Sequence, residues 1–295
     1  MPDVELSAGT IEYEDSGGAG PPVVLLHGLA MDGSLWRHVV ADLRADHRCI
    51  VPTLPLGSHR QPMAPEADLT FRGHVRLLAE LLERLALPDV TLVQSDMGFS
   101  QLLAAERPEL FARLVLCSCE AFDNYQPGLP GRTLGLAAKV PGGLNALVQP
   151  MRMRPLRRLP LAFGWMAKRP IPDEVTDAWL RPLLSRRKIR RDLVKYVRSA
   201  DRRVMLAASE GISSYDRPAL VVWASEDRVM PPEHGRRLAE ALPQGRLVEV
   251  PDSYTLIPED QPGELARAIR GFIRETKTPK EESWTQTSAP AANPS

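Results

Sequence analysis

Residues 90–103 have the sequence Val90-Thr91-Leu92-Val93-Gln94-Ser95-Asp96-Met97-Gly98-Phe99-Ser100-Gln101-Leu102-Leu103. The apolar run before Ser95 predicts a buried strand and the apolar residues after Gly98 predict a helix, so Asp96 lies at a sharp turn between them. A carboxylate is ionised at neutral pH, because its ordinary pKa is about 3.9, and it can attack carbon without a base that removes its proton. The alternative is an Asp that caps the helix.

Two other segments belong with this turn. Val23-Val24-Leu25-Leu26-His27-Gly28 reads as a buried strand that runs into a His-Gly turn, about 70 residues before Asp96. Ala219-Leu220-Val221-Val222-Trp223-Ala224 reads as another buried strand, and the loop after it carries Asp227. Together with the strand, turn and helix around Asp96, these segments resemble the α/β-hydrolase superfamily over nearly the whole chain. For Asp227, the alternative is a loop carboxylate that precedes a helix.

The resemblance implies a fold and a set of site residues. The expected fold is a mostly parallel, eight-stranded α/β sheet flanked by helices, with an inserted helical lid, and the alternation of strands and helices also favours a parallel sheet. Asp96 matches the nucleophile of the aspartate branch, which contains epoxide hydrolases and haloalkane dehalogenases. Asp227 matches the catalytic acid, and the backbone N–H groups of Leu29 and Met97 match the oxyanion hole.

The position of the catalytic histidine is occupied by a different residue. In the superfamily this histidine follows the last strand, and in the segment 250–262 the matching position is Thr255. A threonine hydroxyl cannot act as a base near neutral pH, so the usual hydrolysis of an aspartyl ester lacks its usual catalyst. Two residues are candidates for an alternative acid or base: His59, in a loop after a strand, and Glu120, just after the strand at 114–119. Either could instead have a structural role.

Three other polar residues are given structural interpretations. Asp252 and Asp260 flank Thr255 and are interpreted as a turn residue and a helix cap. His234, the last of six histidines, is interpreted as a surface residue of a helix.

The residues around the turn also bear on the substrate. Dehalogenases that resemble this chain place a Trp directly after the nucleophile and often an Asn after the His-Gly pair, whereas these positions here hold Met97 and Leu29. Epoxide hydrolases usually polarise the epoxide oxygen with lid tyrosines, and the candidates are Tyr125 and Tyr196. The alternative for both is an ordinary core or surface residue. The resemblance therefore favours a small organic epoxide or ester over a haloalkane.

Three functions remain open at this stage. The first is hydrolysis of an epoxide or ester through an Asp96 nucleophile. The second is a non-hydrolytic lyase or cyclase reaction in which Asp96 is an acid or base. The third is a catalytically silent protein whose pocket binds a ligand.

Length and composition indicate a two-part enzyme. The chain has 295 residues, of which 43% are hydrophobic. We expect a core domain of residues 1–123 and 206–276, a helical lid insertion at 124–205 and a disordered tail at 277–295. No apolar run approaches the roughly 18 residues that span a bilayer, and the N-terminus lacks the features of a signal peptide, so a cytoplasmic protein without an integral membrane segment is expected.

Cysteine content and charge exclude several classes of function. The three cysteines, Cys49, Cys117 and Cys119, all fall in predicted strands, which favours buried, reduced thiols and neither a metal nor a cofactor. The net charge is zero, yet residues 124–205 hold 18 Lys or Arg against 5 Asp or Glu. This excess has three interpretations: a solvated face, attraction of an anionic substrate, or docking on an acidic partner or membrane. No binding fold for nucleic acid is recognisable, and the oligomeric state is not predicted.

Overall fold

An eight-stranded sheet forms the centre of the computed structural model, which describes residues 1–276; the tail predicted for 277–295 lies outside the described residues. The strands are β1 (Asp3–Leu6), β2 (Gly9–Asp15), β3 (Pro22–Leu26), β4 (Arg48–Pro52), β5 (Thr91–Asp96), β6 (Arg113–Cys119), β7 (Ala219–Ala224) and β8 (Gly245–Val250). Their order is β1-β2-β4-β3-β5-β6-β7-β8, with antiparallel pairs at β1–β2 and β2–β4 and parallel pairs elsewhere. The predicted fold class is confirmed.

Helices cover both faces of the sheet. They are α1 (Arg37–Leu43), α2 (Phe71–Leu85), α3 (Phe99–Glu106), α4 (Gly128–Lys139), α5 (Gly143–Val148), α6 (Asp173–Ser185), α7 (Arg187–Arg198), α8 (Arg202–Gly211), α9 (Pro232–Ala241), α10 (Ile257–Asp260) and α11 (Pro262–Glu275). Every residue of β3, β5, β6 and β7 is buried, as expected for parallel strands between two helical layers. The carboxyl ends of these strands therefore meet at one edge, where open α/β sheets bind ligands.

The helices α4 to α7 lie between β6 and β7 and form most of the predicted insertion. Two short 3₁₀ turns, 149–152 and 154–158, join α5 to the segment before α6. The predicted domain boundary at residue 206 falls inside α8, which packs against α3 of the core. Within residues 1–276, no helix is long and apolar enough to cross a membrane.

Asp260 joins the insertion to the loop after β8. Its buried carboxylate accepts hydrogen bonds from the backbone N–H groups of Lys168 (2.8 Å), Arg169 (2.8 Å) and Tyr254 (2.9 Å). The interpretation of Asp260 as a helix cap is wrong, because α11 follows Gln261 without a side-chain cap and the Asp260 oxygens are occupied by the insertion. Asp252 does lie in a turn, with φ of 54°, and forms ion pairs with the Lys168 and Arg169 side chains.

Replacing Asp260 with Ala is expected to lower the free energy of unfolding by at least about 2 kcal/mol, because the change leaves three backbone donors without their acceptor. Asp252→Ala is the matched control. It removes exposed ion pairs, which typically contribute less than about 1 kcal/mol, and one long, exposed hydrogen bond from Gln261. Urea unfolding of both variants measures the difference. Equal losses would show that the Asp260 carboxylate does not hold the insertion.

The cysteines and His234 are the subject of two further predictions. All three cysteines are free and buried, as predicted, and burial raises the pKa of the Cys49 thiol to about 11.

The surface interpretation of His234 is wrong. The ring is buried, packs edge-on against Phe122 at 5.5 Å between centroids, and lies 3.5 Å from the Asp123 carboxylate. Its side of α9 faces the chain that leaves β6, and helical spacing alone could not reveal that neighbour.

Candidate active site

Asp96 lies at the turn between β5 and α3 in a strained backbone conformation. Its φ is 68°, in the left-handed region that few non-glycine residues adopt and that recurs at functional sites. Gly98 lets α8 pack closely behind this turn, because a Cβ there would lie 2.5 Å from the Met205 Sδ of α8. The N-terminus of α3 has no side-chain cap. Asp96 therefore does not act as the cap that was considered as its alternative role.

The Asp96 carboxylate is held in a nearly dry position. The side chain is 4% exposed, and its Oδ2 accepts a hydrogen bond of 2.9 Å from the Leu29 N–H. Gly28 is required here, since a Cβ at that residue would lie 2.2 Å from Asp96 Oδ2. Burial raises the pKa of Asp96 to about 6; the Leu29 hydrogen bond opposes this shift and the charge of Asp227 adds to it.

The two backbone donors predicted for an oxyanion hole are both occupied. The Leu29 N–H binds Asp96 itself, and the Met97 N–H donates to the Ser95 carbonyl at 2.8 Å across the tight turn. The structure therefore does not contain an open pair of donors at this place. A substrate oxygen would have to replace one of these bonds.

Asp227 and Thr255 form a hydrogen-bonded pair. The Thr255 hydroxyl is fully buried and donates to Asp227 Oδ1 at 2.7 Å, and the same oxygen accepts from the N–H groups of Val229 and Met230. Asp227 Oδ2 has no hydrogen-bond partner among the described residues. Burial raises the pKa of Asp227 to about 6, although its hydrogen bonds lower it. Thr255 thus donates a hydrogen bond to Asp227, as a histidine at this position could. Its hydroxyl cannot act as a base.

A cavity of about 360 Å³ lies between the sheet edge and the insertion. Its few polar or ionisable lining groups include Asp96, Glu120, Tyr125 and Tyr196. Most of the wall is apolar and comes from the insertion, including Leu134, Leu147, Val148, Met151, Leu156, Leu180, Leu183, Leu193 and Val197. The site thus accepts an apolar molecule beside one carboxylate.

One carboxyl oxygen in this wall, Glu120 Oε2, lacks a hydrogen-bond partner among residues 1–276. The hydroxyl groups of Tyr125 and Tyr196 form no well-aligned hydrogen bond with other described residues, but they lie close enough to each other that each affects the pKa of the other. Unpaired buried polar atoms are costly, and they recur where a ligand supplies the missing bond. Burial raises the pKa of Glu120 well above its usual range, and the charge of Asp96 raises it further. Burial also raises the pKa of both phenols. Burial thus favours the protonated forms of Glu120 and of the two tyrosines, in which each can donate a proton.

The structure does not bring His59 into this cavity. The buried His59 ring lies with Nε2 3.2 Å from Asp192 Oδ2, beneath α7, so its prediction as a base beside Asp96 is not supported. Asp192 also accepts from the Met63 N–H at 2.9 Å and ties α7 to the core. Sequence analysis missed Asp192, although it is the single carboxylate of α7, a helix with six Lys or Arg. In the part of the chain that the structure describes, no three His, Cys, Asp or Glu side chains are grouped as a metal site requires.

Comparison with known proteins places the fold. A family profile described as the alpha/beta hydrolase fold matches residues 21–262. The chain belongs to the α/β-hydrolase fold family. A haloalkane dehalogenase of Mesorhizobium japonicum is 25% identical over 280 residues, covering 90% of this chain and 88% of its own. A cis-3-alkyl-4-alkyloxetan-2-one decarboxylase of Xanthomonas campestris pv. campestris is 28% identical over 284 residues, covering 89% and 91%.

Solved structures show the same fold. A haloalkane dehalogenase from Bradyrhizobium elkani superposes with a TM-score of 0.76 at 21% identity, over 92% of this chain and 96% of that one. A thermophilic esterase from Thermogutta terrifontis gives a TM-score of 0.66 at 21% identity, over 94% and 100%. The chain is an α/β-hydrolase-fold enzyme related to haloalkane dehalogenases.

Proposed function

We propose that this α/β-hydrolase-fold enzyme hydrolyses a small apolar epoxide through a covalent ester on Asp96. One observation carries the proposal: the Asp96 carboxylate and the neighbouring phenols of Tyr125 and Tyr196 line one apolar cavity. An epoxide offers a carbon to the carboxylate and a ring oxygen to the phenols. The apolar wall suits the rest of such a molecule.

In the first step, an Asp96 oxygen forms a bond to a ring carbon and the bond from that carbon to the ring oxygen breaks. The ring oxygen takes a proton from Tyr125 or Tyr196, and the phenol recovers one from neutral Glu120. The result is a neutral ester on Asp96 and a charged Glu120.

In the second step, Glu120 acts as the base. Ester formation removes the negative charge of Asp96, which is one of the two causes that raise the pKa of Glu120. The Glu120 carboxylate takes a proton from water while the hydroxide attacks the ester carbonyl. The departing alkoxide takes the proton of the Asp96 carboxylic acid that this step forms. A diol leaves, Asp96 is again ionised, and Glu120 is again neutral. This route requires no histidine at position 255.

Dehalogenation is the weaker assignment for this cavity. A departing halide needs N–H donors. Among the described residues that line the cavity, none carries an indole, and Gln126 is the one with a side-chain amide. The relatives that dehalogenate share the fold and do not settle the reaction.

Replacing Tyr125 or Tyr196 with Phe tests the proposal. Each change is expected to lower kcat for hydrolysis of an aryl or alkyl epoxide by about 10²-fold, a typical cost for one lost donor to a developing oxyanion. Tyr215→Phe is the matched control, because its hydroxyl is also buried but lies outside the cavity. Equal effects of all three changes, or no epoxide turnover by the unmodified protein, would contradict the assignment.

A second reaction fits the threonine at position 255. Two relatives, from Xanthomonas campestris and Shewanella oneidensis, are named cis-3-alkyl-4-alkyloxetan-2-one decarboxylases. If Asp96 attacked the alkyl-substituted ring carbon next to the ring oxygen, the bond between that carbon and the oxygen would break. The ring would open to a carboxylate. Loss of CO₂ would then form an alkene and expel Asp96, with no water and no base. Neither step uses the absent histidine.

Products distinguish the two reactions. Epoxide hydrolysis in H₂¹⁸O transfers one labelled oxygen to the diol over repeated turnovers, whereas the oxetanone reaction releases CO₂ and an unlabelled alkene. A chain that yields neither product and no mass increase on Asp96 would instead be the silent binding protein considered from the sequence.

A further inference from the structure

Residues 124–172 form a continuous stretch without a single acidic residue. The 49 residues contain eight Lys or Arg and no Asp or Glu, and the nearest carboxylates in the chain are Asp123 and Asp173. We call this stretch the cationic segment. Its positive residues are Arg132, Lys139, Arg152, Arg154, Arg157, Arg158, Lys168 and Arg169.

The cationic segment also exposes large apolar side chains. Of the ten exposed large hydrophobic residues in the described chain, six lie in this segment and are between 47% and 68% exposed: Leu129, Leu136, Val140, Met153, Leu159 and Leu161. The elements that carry or join them pack in series, α4 on α5, α5 on the turn at 149–152, and that turn on 154–158. Such a grouping of apolar side chains marks an interaction surface.

Helix α4 combines both features on one face. Leu129, Arg132, Leu136 and Lys139 follow one another at intervals of three or four residues, so they share a face of the helix. All four are exposed, and neither Arg132 nor Lys139 forms an ion pair within residues 1–276. This face therefore presents unpaired cations beside apolar side chains.

The cavity reaches the surface at the same place. Leu159 and Leu161 line the cavity that contains Asp96, yet they are 47% and 49% exposed. A molecule that passes these two residues moves from the outer face of the cationic segment to the site.

A small cleft on the same segment concentrates positive charge. It measures about 130 Å³, and its lining includes Arg154, Arg157, Arg158, Lys168 and Arg169 together with Asp173. Each of these cations already has a carboxylate partner: Arg154 and Arg157 pair with Asp177, Arg158 with Asp173, and Lys168 and Arg169 with Asp252. The cations of the segment that are free to meet an anionic surface therefore include those of α4.

We propose that the cationic segment docks on the surface of an anionic lipid bilayer and that the substrate passes from the lipid into the cavity between Leu159 and Leu161. Exposed Leu, Val and Met enter the acyl boundary while Lys and Arg meet the anionic headgroups. The passage of substrate rests on the proposed function, whereas docking does not.

Charge favours a bilayer over a second copy of the chain. In a two-fold interface, the same patch faces itself, and the α4 face would set Arg132 and Lys139, which form no ion pair within residues 1–276, against their own copies. Nucleic acid supplies the opposite charge but no apolar layer for six exposed hydrophobic side chains. An anionic bilayer supplies both.

Co-sedimentation with vesicles tests docking. We expect binding to vesicles of phosphatidylglycerol and phosphatidylcholine, little binding to phosphatidylcholine alone, and loss of binding as salt rises from about 0.05 to 0.5 M. The double change Arg132→Gln with Lys139→Gln is expected to weaken binding by about 30-fold, because each cation near the surface contributes about a factor of five. Leu136→Ser should weaken it as well. Arg44→Gln with Arg84→Gln is the control, since it removes the same charge from exposed positions of the core.

Several results would overturn the inference. One is equal binding to neutral and anionic vesicles, and another is an equal loss for the α4 and core variants. A third is a concentration-dependent dimer, measured by sedimentation without lipid, that Leu136→Ser dissociates. Asp96→Asn should bind vesicles like the unmodified protein, so failure of docking and failure of the proposed chemistry are separate outcomes.

Discussion

Asp96→Asn is expected to reduce kcat/KM by at least about 10³-fold, because the amide is nearly isosteric with the carboxylate but is neither a nucleophile nor a base. The backbone turn and the Leu29 hydrogen bond can persist, since the Asn carbonyl still accepts from that N–H. Steady-state rates with an epoxide or oxetanone substrate measure the loss. Mass spectrometry of the unmodified protein, stopped during turnover, should find the substrate mass on the peptide that contains Asp96.

The same variant should be more stable than the unmodified protein above pH 6. Burial raises the pKa of Asp96 to about 6 from an ordinary 3.8, so between these values the folded state binds more protons than the unfolded state and stability falls as pH rises. A shift of this size corresponds to about 3 kcal/mol of destabilisation at pH 8. Asn cannot ionise and avoids this cost.

Thermal unfolding from pH 4 to pH 8 measures the gain. We expect no difference at pH 4 and a growing advantage of Asp96→Asn through pH 6. Activity within a few-fold of the unmodified protein would remove Asp96 from the chemistry. A difference in stability that is the same at every pH would show that ionisation of the buried Asp96 carboxylate does not destabilise the folded state.

In a Glu120→Gln background, which removes the proposed base, Thr255→His is expected to raise the turnover of small epoxides or activated esters by about 10²- to 10⁴-fold, the usual contribution of a positioned base. Asp227 already accepts a hydrogen bond of 2.7 Å from residue 255, so it can orient an imidazole and raise its basicity. Asp227 Oδ2, which has no partner within residues 1–276, offers a further acceptor.

Stopped-flow measurement of ester formation and decay separates the two chemical steps. The new histidine should speed the decay and leave the formation rate unchanged, and Asp227→Asn in the same background should cancel most of the gain. Thr255 is fully buried, so the larger imidazole side chain can be accommodated only if its neighbours move. Thermal unfolding of the variant measures whether this movement destabilises the fold. A well-folded Thr255→His protein without a gain would mean that residue 255 lies too far from the ester.

The sheet and the principal helices could be predicted from the sequence because apolar periodicity and turn residues report local structure. Helices α2 (Phe71–Leu85) and α11 (Pro262–Glu275) are examples, because their buried apolar residues recur at helical spacing. The resemblance to the α/β-hydrolase superfamily also identified Asp96, Glu120 and the two tyrosines as candidates. They meet at one cavity because each follows a strand that ends at that edge or lies in the insertion above it.

Contacts between distant segments could not be predicted in the same way. The bond between His59 and Asp192 joins residues 133 positions apart, and it removes His59 from the cavity. The occupied N–H of Met97 depends on the exact turn of Asp96, where the backbone has φ of 68°. The packing of α8 on α3, with α8 continuous across the boundary predicted at residue 206, is another such contact. No periodicity in one segment contains such information.

The bonds of Asp260 limit how this protein can be re-engineered. One carboxylate holds the backbone of Lys168 and Arg169 on one side and that of Tyr254, next to Thr255, on the other. The insertion is therefore not a cassette that can be exchanged alone. A chimaera with the helices of a relative would need that relative's 252–260 loop as well, since a foreign insertion on the native loop would misplace the neighbours of Asp227.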